Sequence, residues 1–392
     1  MRLMSCGVAM GIAAIASCSA PTPQSGFGPG KNGKGDAPPG QFDNGPQGES
    51  SPSGPGCQKD PSFYDVPGDD CDNDADGVVD NPPTCDAEIT SNTAEDFAKA
   101  IGICDKASEK GYGLVSAKFT RGYNRSDAPQ DEQHSVLAKF GNVIRPREGK
   151  KLGVISTGYA QEFNGAPNTP FGGGSGGRDW FGSRPGGTGS APPGFPKAAE
   201  SCPLSNDVND VVNVKLELKA PKNASGFKFD FNFHSGEWPA FICSRYNDGF
   251  IAYLTAPSYN GGKGDNISFD AKKNPVSVNN GFFDRCTPQI TLGCSSPNAG
   301  GRSACPGGPA ELAGTGFGLT GDACGQGETS TLGGATGWLS SNAPIRAEET
   351  FTLELMIWDT GDGVLDSSVL IDNFYWLAGA VTTSTQRPDD VK

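Results

Sequence analysis

The sequence predicts a mainly β protein, a jelly-roll-like β-sandwich with one amphipathic helix on its N-terminal side and long disulfide-braced loops. Alternation of apolar and polar residues, typical of strands with one buried face, is clearest at 212–218 and 227–233. With 57 glycines and 31 prolines in 392 residues, much of the chain must be turn or loop. Beyond Cys6 and Cys18 the number of cysteines is even, which in an exported chain predicts disulfides. The candidates are Cys57, Cys71, Cys85, Cys104, Cys202, Cys243, Cys286, Cys294, Cys305 and Cys324.

Residues 1–17 are predicted to be a cleaved lipoprotein signal peptide. Arg2 precedes an apolar run too short to cross a bilayer as a mature helix, and small residues precede Cys18. The run Ile15-Ala16-Ser17-Cys18 resembles the lipobox of bacterial lipoproteins, which implies that Cys18 is lipidated and anchors the protein to a membrane. Ser19 stands where inner-membrane retention usually requires Asp, so the resemblance implies the outer membrane, with exposure at the cell surface. An ordinary signal peptide cleaved nearby is the alternative.

Residues 18–56 are predicted to form a disordered tether. The segment consists mainly of Gly, Pro, Ser, Asn and Gln, with Phe27 and Phe42 as its few large apolar residues. Such a composition cannot bury enough apolar surface to offset the entropy of ordering. We therefore expect the segment to hold the folded part away from the membrane.

Residues 57–86 contain a predicted calcium loop between cysteines. The run 72–80 reads D-N-D-A-D-G-V-V-D, in which alternating carboxylates curl around one ion and Gly77 permits the sharp turn. Pro83 replaces the bidentate acid of an EF-hand, so the loop looks more like the Asp-rich repeats of thrombospondin type 3, with a dissociation constant on the order of 0.1 to 1 mM. A solvated acidic turn is the alternative. The expected ligands are Asp72, Asp74, Asp76, the Val78 carbonyl and Asp80.

Residues 87–380 are predicted to form the folded domain, followed by a polar tail at 381–392. An N-cap signal at Thr93 and apolar residues at helical spacing predict one helix over about 93–110. The Gly/Pro-rich stretch 159–203 is expected to be a large loop. Strands are predicted at 114–119, 135–144, 152–157, 212–218, 227–233, 250–255, 266–269, 276–283, 351–358 and 368–377.

Several runs in the second half occur in a recognisable order. They are 229–239 (FDFNFHSGEWP), 246–250 (YNDGF), 266–267 (NI), 275–280 (PVSVNN) and 359–367 (DTGDGVLDS). Together they resemble the choice-of-anchor L domain of bacterial surface proteins, and 98–104, 113–117 and 152–159 are similar to the N-terminal half of myxobacterial members. The resemblance implies a secreted or cell-surface protein held by an anchor, and it implies no defined molecular activity for the domain.

A second, weaker calcium candidate lies between two predicted strands. Asp359, Asp362 and Asp366 fall in one loop, where carboxylates held close together either bind a cation or raise one another's pKa. The alternative is a hairpin turn in which Asp and Gly only satisfy the backbone.

The sequence predicts no catalytic site. Glu237 beside Trp238 suggests sugar chemistry, with Asp359 or Asp362 as a second acid, but such a pair in a β protein is more often a surface acid beside a core aromatic. The G-x-S-x-G run at 173–177 lies among glycines rather than between a strand and a helix. No C-x-x-C pair supports zinc. Trp238, Trp338, Trp358 and Trp376 are expected in the core or at its rim.

The net charge of −14 argues against nucleic acid as a partner. Taken together, these patterns predict a membrane-anchored extracytoplasmic lipoprotein. Its domain would be non-catalytic and calcium-stabilised, and would serve binding or adhesion, with polysaccharide or another envelope protein as the ligand. A structural envelope component without a specific ligand is the alternative, and a glycan-active hydrolase is a less favoured one.

Overall fold

The computed structural model describes residues 57–161, 189–199, 202–279, 282–296 and 300–388. The predicted signal peptide, Cys18 and the tether lie outside these residues, as does the G-x-S-x-G run. The described residues all belong to one unit, which spans 52–392. Within them, no helix combines the length and the apolar character needed to span a bilayer.

The regular elements are mostly strands. The helices are α1 (Ala94–Ala100) and α2 (Ala107–Lys110), with 3-10 turns at Asp131–Gln133, Asn260–Gly262 and Ala310–Leu312. The strands are β1 (Gly113–Thr120), β2 (His134–Leu137), β3 (Leu152–Ser156), β4 (Val208–Lys219), β5 (Gly226–Ser235), β6 (Gly249–Thr255), β7 (Asp265–Asn266), β8 (Val276–Ser277), β9 (Thr320–Gly321), β10 (Ser330–Thr331), β11 (Gly334–Pro344), β12 (Thr350–Thr360), β13 (Ser367–Leu377) and β14 (Ser384–Gln386).

Two antiparallel sheets form the sandwich. The first has the order β1-β4-β12-β6-β7, with β8 also paired to β6, and the second has the order β14-β11-β5-β13-β3-β2. From β3 onward, the strands of five or more residues alternate between the two sheets as the chain proceeds, which is how a jelly roll wraps; they are β3, β4, β5, β6, β11, β12 and β13. The predicted jelly-roll-like β-sandwich is therefore confirmed.

The main core lies between the sheets, and a second core covers the outer face of the second sheet. Phe227, Phe229, Phe231 and Phe233 on β5 are fully buried in the main core, because alternate side chains of a strand share a face. The intervening residues of β5 point to the outer face. There, loop residues including Phe140 and Phe317 pack over β3 and β13 and form the second core.

The predicted single helix over 93–110 is wrong, because two short helices replace it. Thr93 caps α1 as expected, with its hydroxyl accepting from the Asp96 N–H at 3.1 Å. The helix stops because Gly102 takes a left-handed φ of 99° and lies against β13, where a Cβ would meet the Phe374 carbonyl oxygen at 2.7 Å. The Ile101 carbonyl accepts from the Phe374 N–H at 2.7 Å, which fixes the turn to the sheet.

Several strand predictions need correction as well. The predicted strand 135–144 reduces to β2, because Phe140 and Ile144 turn over the outer face into the second core. The predicted strands 266–269 and 276–283 shorten to the two-residue strands β7 and β8. The sequence pattern did not predict the eleven-residue strand β11.

The segments flanking the predicted domain pack with it. Tyr64 and Val66 are buried in the main core, and β14, in the predicted tail, pairs with β11. The ten described cysteines form five disulfides, of which the last two interleave along the chain. The pairs are Cys57–Cys71, Cys85–Cys104, Cys202–Cys243, Cys286–Cys305 and Cys294–Cys324.

Candidate functional site

A groove of about 600 Å³ opens on the outer face of the second sheet, beside the second core. Its floor includes Trp338 of β11 and Tyr375 of β13, both half-buried. One wall is the segment 145–148, and the other includes Tyr64 and neighbouring prolines. The groove therefore joins aromatic surfaces with charged and amide groups.

The polar floor of the groove is held in one arrangement by Asp230, which is fully buried on β5. Its carboxylate pairs with the Arg147 Nε at 3.1 Å and accepts from the Asn373 Nδ2 at 2.9 Å, and the Ser340 hydroxyl also donates to it. Asp372, also fully buried, accepts from the backbone N–H groups of Arg147 and Glu148. The wall formed by 145–148 is thus hydrogen-bonded to the sheet before any ligand arrives.

A second cavity of about 510 Å³ continues the groove past Trp338. It shares Trp338 and Arg145 with the first and adds Arg285 and Glu311. Glu311 is held by the Arg285 Nε at 2.7 Å and the Asn232 Nδ2 at 2.8 Å. The indole of Trp338 thus lies at the middle of an elongated depression.

The predicted calcium loop brings three of its carboxylates together. In the part of the chain that the structure describes, Asp72, Asp74 and Asp76 form the group whose ligand oxygens all lie within 4.8 Å of one another. Gly77 has a φ of 96°, which an L side chain rarely adopts, so the expected sharp turn is present. These three residues fit an oxygen-ligated cation such as calcium.

The remaining loop residues are placed differently. The Asp80 Oδ1 accepts from the backbone N–H groups of Gly68 at 2.9 Å and Asp69 at 3.1 Å, so this carboxylate braces a neighbouring turn. Val78 is exposed, and its N–H donates to the Asp76 Oδ1 at 2.8 Å. The Lys59 ammonium hydrogen-bonds the Asp72 Oδ2 at 2.8 Å and lowers the pKa of Asp72. An incoming cation would compete with Lys59 for this oxygen.

The structure separates the residues of the second calcium candidate. Asp362 is exposed at the tip of the β12–β13 loop, where its Oδ1 accepts from the Val364 N–H at 3.2 Å. Asp359 and Asp366 are buried instead, and Asp248 is buried with them. Burial, together with repulsion from the neighbouring carboxylates, raises the pKa of both Asp359 and Asp366.

Glu237 and Trp238 are both buried, with 2% of each residue exposed. Burial is the main cause that raises the pKa of Glu237, with Asp248 and Asp362 adding repulsion. Trp238 packs with Cys286 and Cys305 in a small apolar cluster. No sugar ring can reach an acid and an indole that are buried in this way.

Sequence reasoning missed the groove, because its residues come from distant segments. Trp338 lies on the strand that was not predicted, and Arg147 belongs to a loop. Of the groove residues named here, the sequence indicated only Trp338, and only as a tryptophan expected in the core or at its rim.

The family model described as the choice-of-anchor L domain matches residues 153–374, which is more than half of the chain. The chain belongs to the choice-of-anchor L domain family. The matched segment begins in β3 and ends in β13, so it contains the strands of both sheets other than β1, β2 and β14. It supplies Asp230 and Trp338 of the groove, whereas Arg147 and the Asp72 loop precede it.

The other comparisons add little. The search of curated proteins gave no match. The solved structure of TmCBM61 in complex with β-1,4-galactotriose is 8% identical and covers 68% of this chain and 90% of its own, but its TM-score of 0.23 is too low to support an argument. Membership of the choice-of-anchor L family, with the disulfides, indicates an extracytoplasmic cell-surface protein.

Proposed function

We propose that this choice-of-anchor L protein is an outer-membrane lipoprotein that binds a polysaccharide at the cell surface without cleaving it. The observation that carries the proposal is the elongated groove with Trp338 at its middle. An extended polymer suits a depression that continues on both sides of one ring. Cys18 would be the lipid anchor, and residues 18–56 would hold the sandwich away from the membrane.

The aromatic groups of the groove suit the apolar faces of sugar rings. Trp338 and Tyr375 are half-buried, so each ring is fixed by the fold and still presents a surface. The Lys228 ammonium lies 5.4 Å from the centroid of the Tyr375 ring, which further restricts that ring. Rigid aromatic side chains lose little entropy on binding.

The polar groups of the groove suit sugar hydroxyls. Arg147 and Asn373 are already oriented by Asp230, and Arg145 and Glu148 lie along the same wall. Because few side chains need to be ordered on binding, this arrangement limits the entropic cost of capturing a ligand.

A non-catalytic role fits the positions of the acids. Glycoside hydrolysis requires two carboxyl groups on either side of the scissile bond. Glu237, Asp359 and Asp366 are buried away from any such bond, and Glu311 is engaged by Arg285 and Asn232.

Affinity electrophoresis of the full chain through gels containing envelope polysaccharides tests the proposal. Trp338→Ala should weaken retention by about 30-fold or more, because loss of a tryptophan anchor costs at least about 2 kcal/mol. The matched control is Tyr246→Ala, which removes another half-buried aromatic residue at a site remote in sequence from the groove. Equal retention of wild type and Trp338→Ala would contradict the groove, and absence of retention on every polysaccharide would favour the purely structural alternative.

The anchor has its own experiment. Cys18→Ala should move the protein from the outer-membrane fraction to the soluble fraction and abolish metabolic labelling with a radioactive fatty acid. Cys6→Ala, a cysteine change within the predicted signal peptide, serves as the control. Unchanged membrane retention and labelling would contradict lipidation at Cys18.

We also propose that calcium stabilises the protein through Asp72, Asp74 and Asp76. Millimolar calcium should raise the melting temperature relative to chelator, and the double substitution Asp74→Asn with Asp76→Asn should remove the part of this rise that the loop contributes. An unchanged response in that double variant would make the loop a plain acidic turn.

A further inference from the structure

A buried group of carboxylates lies at the end of the sandwich where β12 finishes and β6 and β13 begin. Asp359 is near the end of β12, Asp366 directly precedes β13, and Asp248 directly precedes β6. Their residues are 1%, 3% and 1% exposed, respectively. Three separate segments therefore bring an acid to one interior region.

Within the described residues, two of these acids lack hydrogen bonds of ordinary geometry. No such bond reaches either oxygen of Asp359 or of Asp366. The neighbouring Thr157 hydroxyl accepts from the Ser367 N–H at 2.9 Å and donates to the Ser367 carbonyl at 3.4 Å, and its presence also favours the charged form of both acids. Buried polar atoms are nearly always paired, so four unpaired carboxylate oxygens in one interior region indicate that something else binds there.

Asp248 is oriented by the same strands. Its Oδ1 accepts from the Thr360 N–H at 3.1 Å, and its Oδ2 accepts from the Ser367 hydroxyl at 2.8 Å. Each oxygen keeps a second lone pair. Asp248 is therefore fixed in place and still able to bind a cation.

In the described part of the chain, no positive side chain pairs with these carboxylates. Among the described residues, no Lys or Arg forms an ion pair with Asp248, Asp359 or Asp366. Burying even one carboxylate without a partner is costly, and burying three that repel one another is more so. A bound proton or a metal ion would offset this cost.

The local backbone makes room beside Asp366. Gly158 follows β3, and a Cβ there would lie 2.0 Å from the Asp366 Oδ2, so only glycine permits this approach. Asp366, but neither Asp248 nor Asp359, also lines a cavity of about 10 Å³ together with Ser156 and Ser368. Such a space holds one particle about the size of a water molecule beside Asp366.

We propose that Asp248, Asp359 and Asp366 bind one calcium ion inside this end of the sandwich. All the donors are oxygens, which suit a hard cation, and a buried site disfavours Mg²⁺, because that ion retains several waters. The ligand oxygens of the three carboxylates do not all lie within 4.8 Å of one another, as those of the Asp72 loop do, so binding one ion requires them to move closer together. The site includes Asp248, which the sequence did not indicate, and excludes the exposed Asp362.

The test uses thermal melts of the full chain in detergent, with millimolar calcium or with chelator, in a background carrying Asp74→Asn and Asp76→Asn. This background should keep a calcium-dependent rise in melting temperature, and adding Asp359→Asn should abolish it. With chelator, by contrast, the Asp359→Asn protein should have a higher melting temperature than its background, because the substitution removes a buried repelling charge. Adding Asp362→Asn instead is the matched control and should leave the rise intact.

Equilibrium dialysis with radioactive calcium gives a second readout, in which bound calcium in the background should fall from one ion per chain to none on adding Asp359→Asn. If that variant does not fold, Asp366→Asn replaces it in both measurements. A background without any calcium response, or a response that survives the substitution, would overturn the internal calcium site. Protons shared among the carboxylates would then be what neutralises the buried charges. Failure of the Asp72 loop alone appears separately, as identical calcium responses of wild type and background.

Discussion

A buried histidine makes the stability of the sandwich depend on pH below neutrality. His234 lies on the outer face of β5 and is fully buried, with ring centroids of Phe140 and Phe317 each 5.4 Å away. Among the described residues, no hydrogen bond of ordinary geometry reaches either ring nitrogen. Burial lowers the pKa of His234 to about 4, because a charged imidazolium would lose its hydration there.

The sign and size of the effect follow from this pKa. An unfolded histidine titrates near 6.5, so the unfolded state binds the proton more tightly. The stability contributed by neutral His234 is fully present above about pH 6.5 and is lost as the pH falls towards 4. At 1.36 kcal/mol per pKa unit, the difference corresponds to roughly 3 kcal/mol in the free energy of unfolding.

Urea unfolding of wild type and His234→Phe at pH 7, 5.5 and 4 measures this effect. The stability of the variant relative to wild type should increase by roughly 3 kcal/mol between pH 7 and pH 4. Titration of the carboxylates is common to both proteins and cancels in the difference. Burial also lowers the pKa of His134, the other histidine of the chain, to about 4. Both proteins keep His134, so its titration cancels in the difference as well. Parallel stability profiles for wild type and His234→Phe would refute the reasoning.

Three further predictions concern stability, each measured by urea unfolding at neutral pH. Replacing Cys202 and Cys243 with Ala should cost about 4 kcal/mol, because their disulfide joins residues 41 apart and restricts the unfolded chain; a loss below about 1 kcal/mol would contradict this. Leu216→Ala, in a fully buried position on β4 between β1 and β12, should cost about 2 to 5 kcal/mol, and an unchanged midpoint would contradict close packing there. Arg147→Met should cost about 3 kcal/mol, since it leaves buried Asp230 without its cation; wild-type stability would show that the pair contributes nothing.

Much of the sandwich could be predicted from the sequence, because its core strands carry a strong signal. In β5, four phenylalanines alternate with polar residues, and in the folded strand all four phenylalanines lie in the main core. In β11 the pattern fails, because Gly334, Ala335 and the serines that follow offer small side chains to both faces. The strand forms through pairing with β5 on one side and β14 on the other, which are contacts between distant parts of the chain.

The candidate sites differ in the same way: a site built from neighbouring residues can be predicted from the sequence, and a site built from distant residues cannot. Asp72, Asp74 and Asp76 are neighbours in sequence, so the alternating pattern alone predicts their convergence. Asp248 reaches the interior group only through the strand order of the folded sheet. The groove around Trp338 depends on that order as well, and no local pattern could indicate it.

The last two disulfides have a consequence for survival outside the cell. Cys286–Cys305 and Cys294–Cys324 overlap, so every peptide bond from 286 to 324 lies inside at least one covalent ring. A protease that cuts this stretch once releases no fragment, because the two new ends remain joined through sulfur. A protein held on the cell surface would keep its sandwich attached after such a cut.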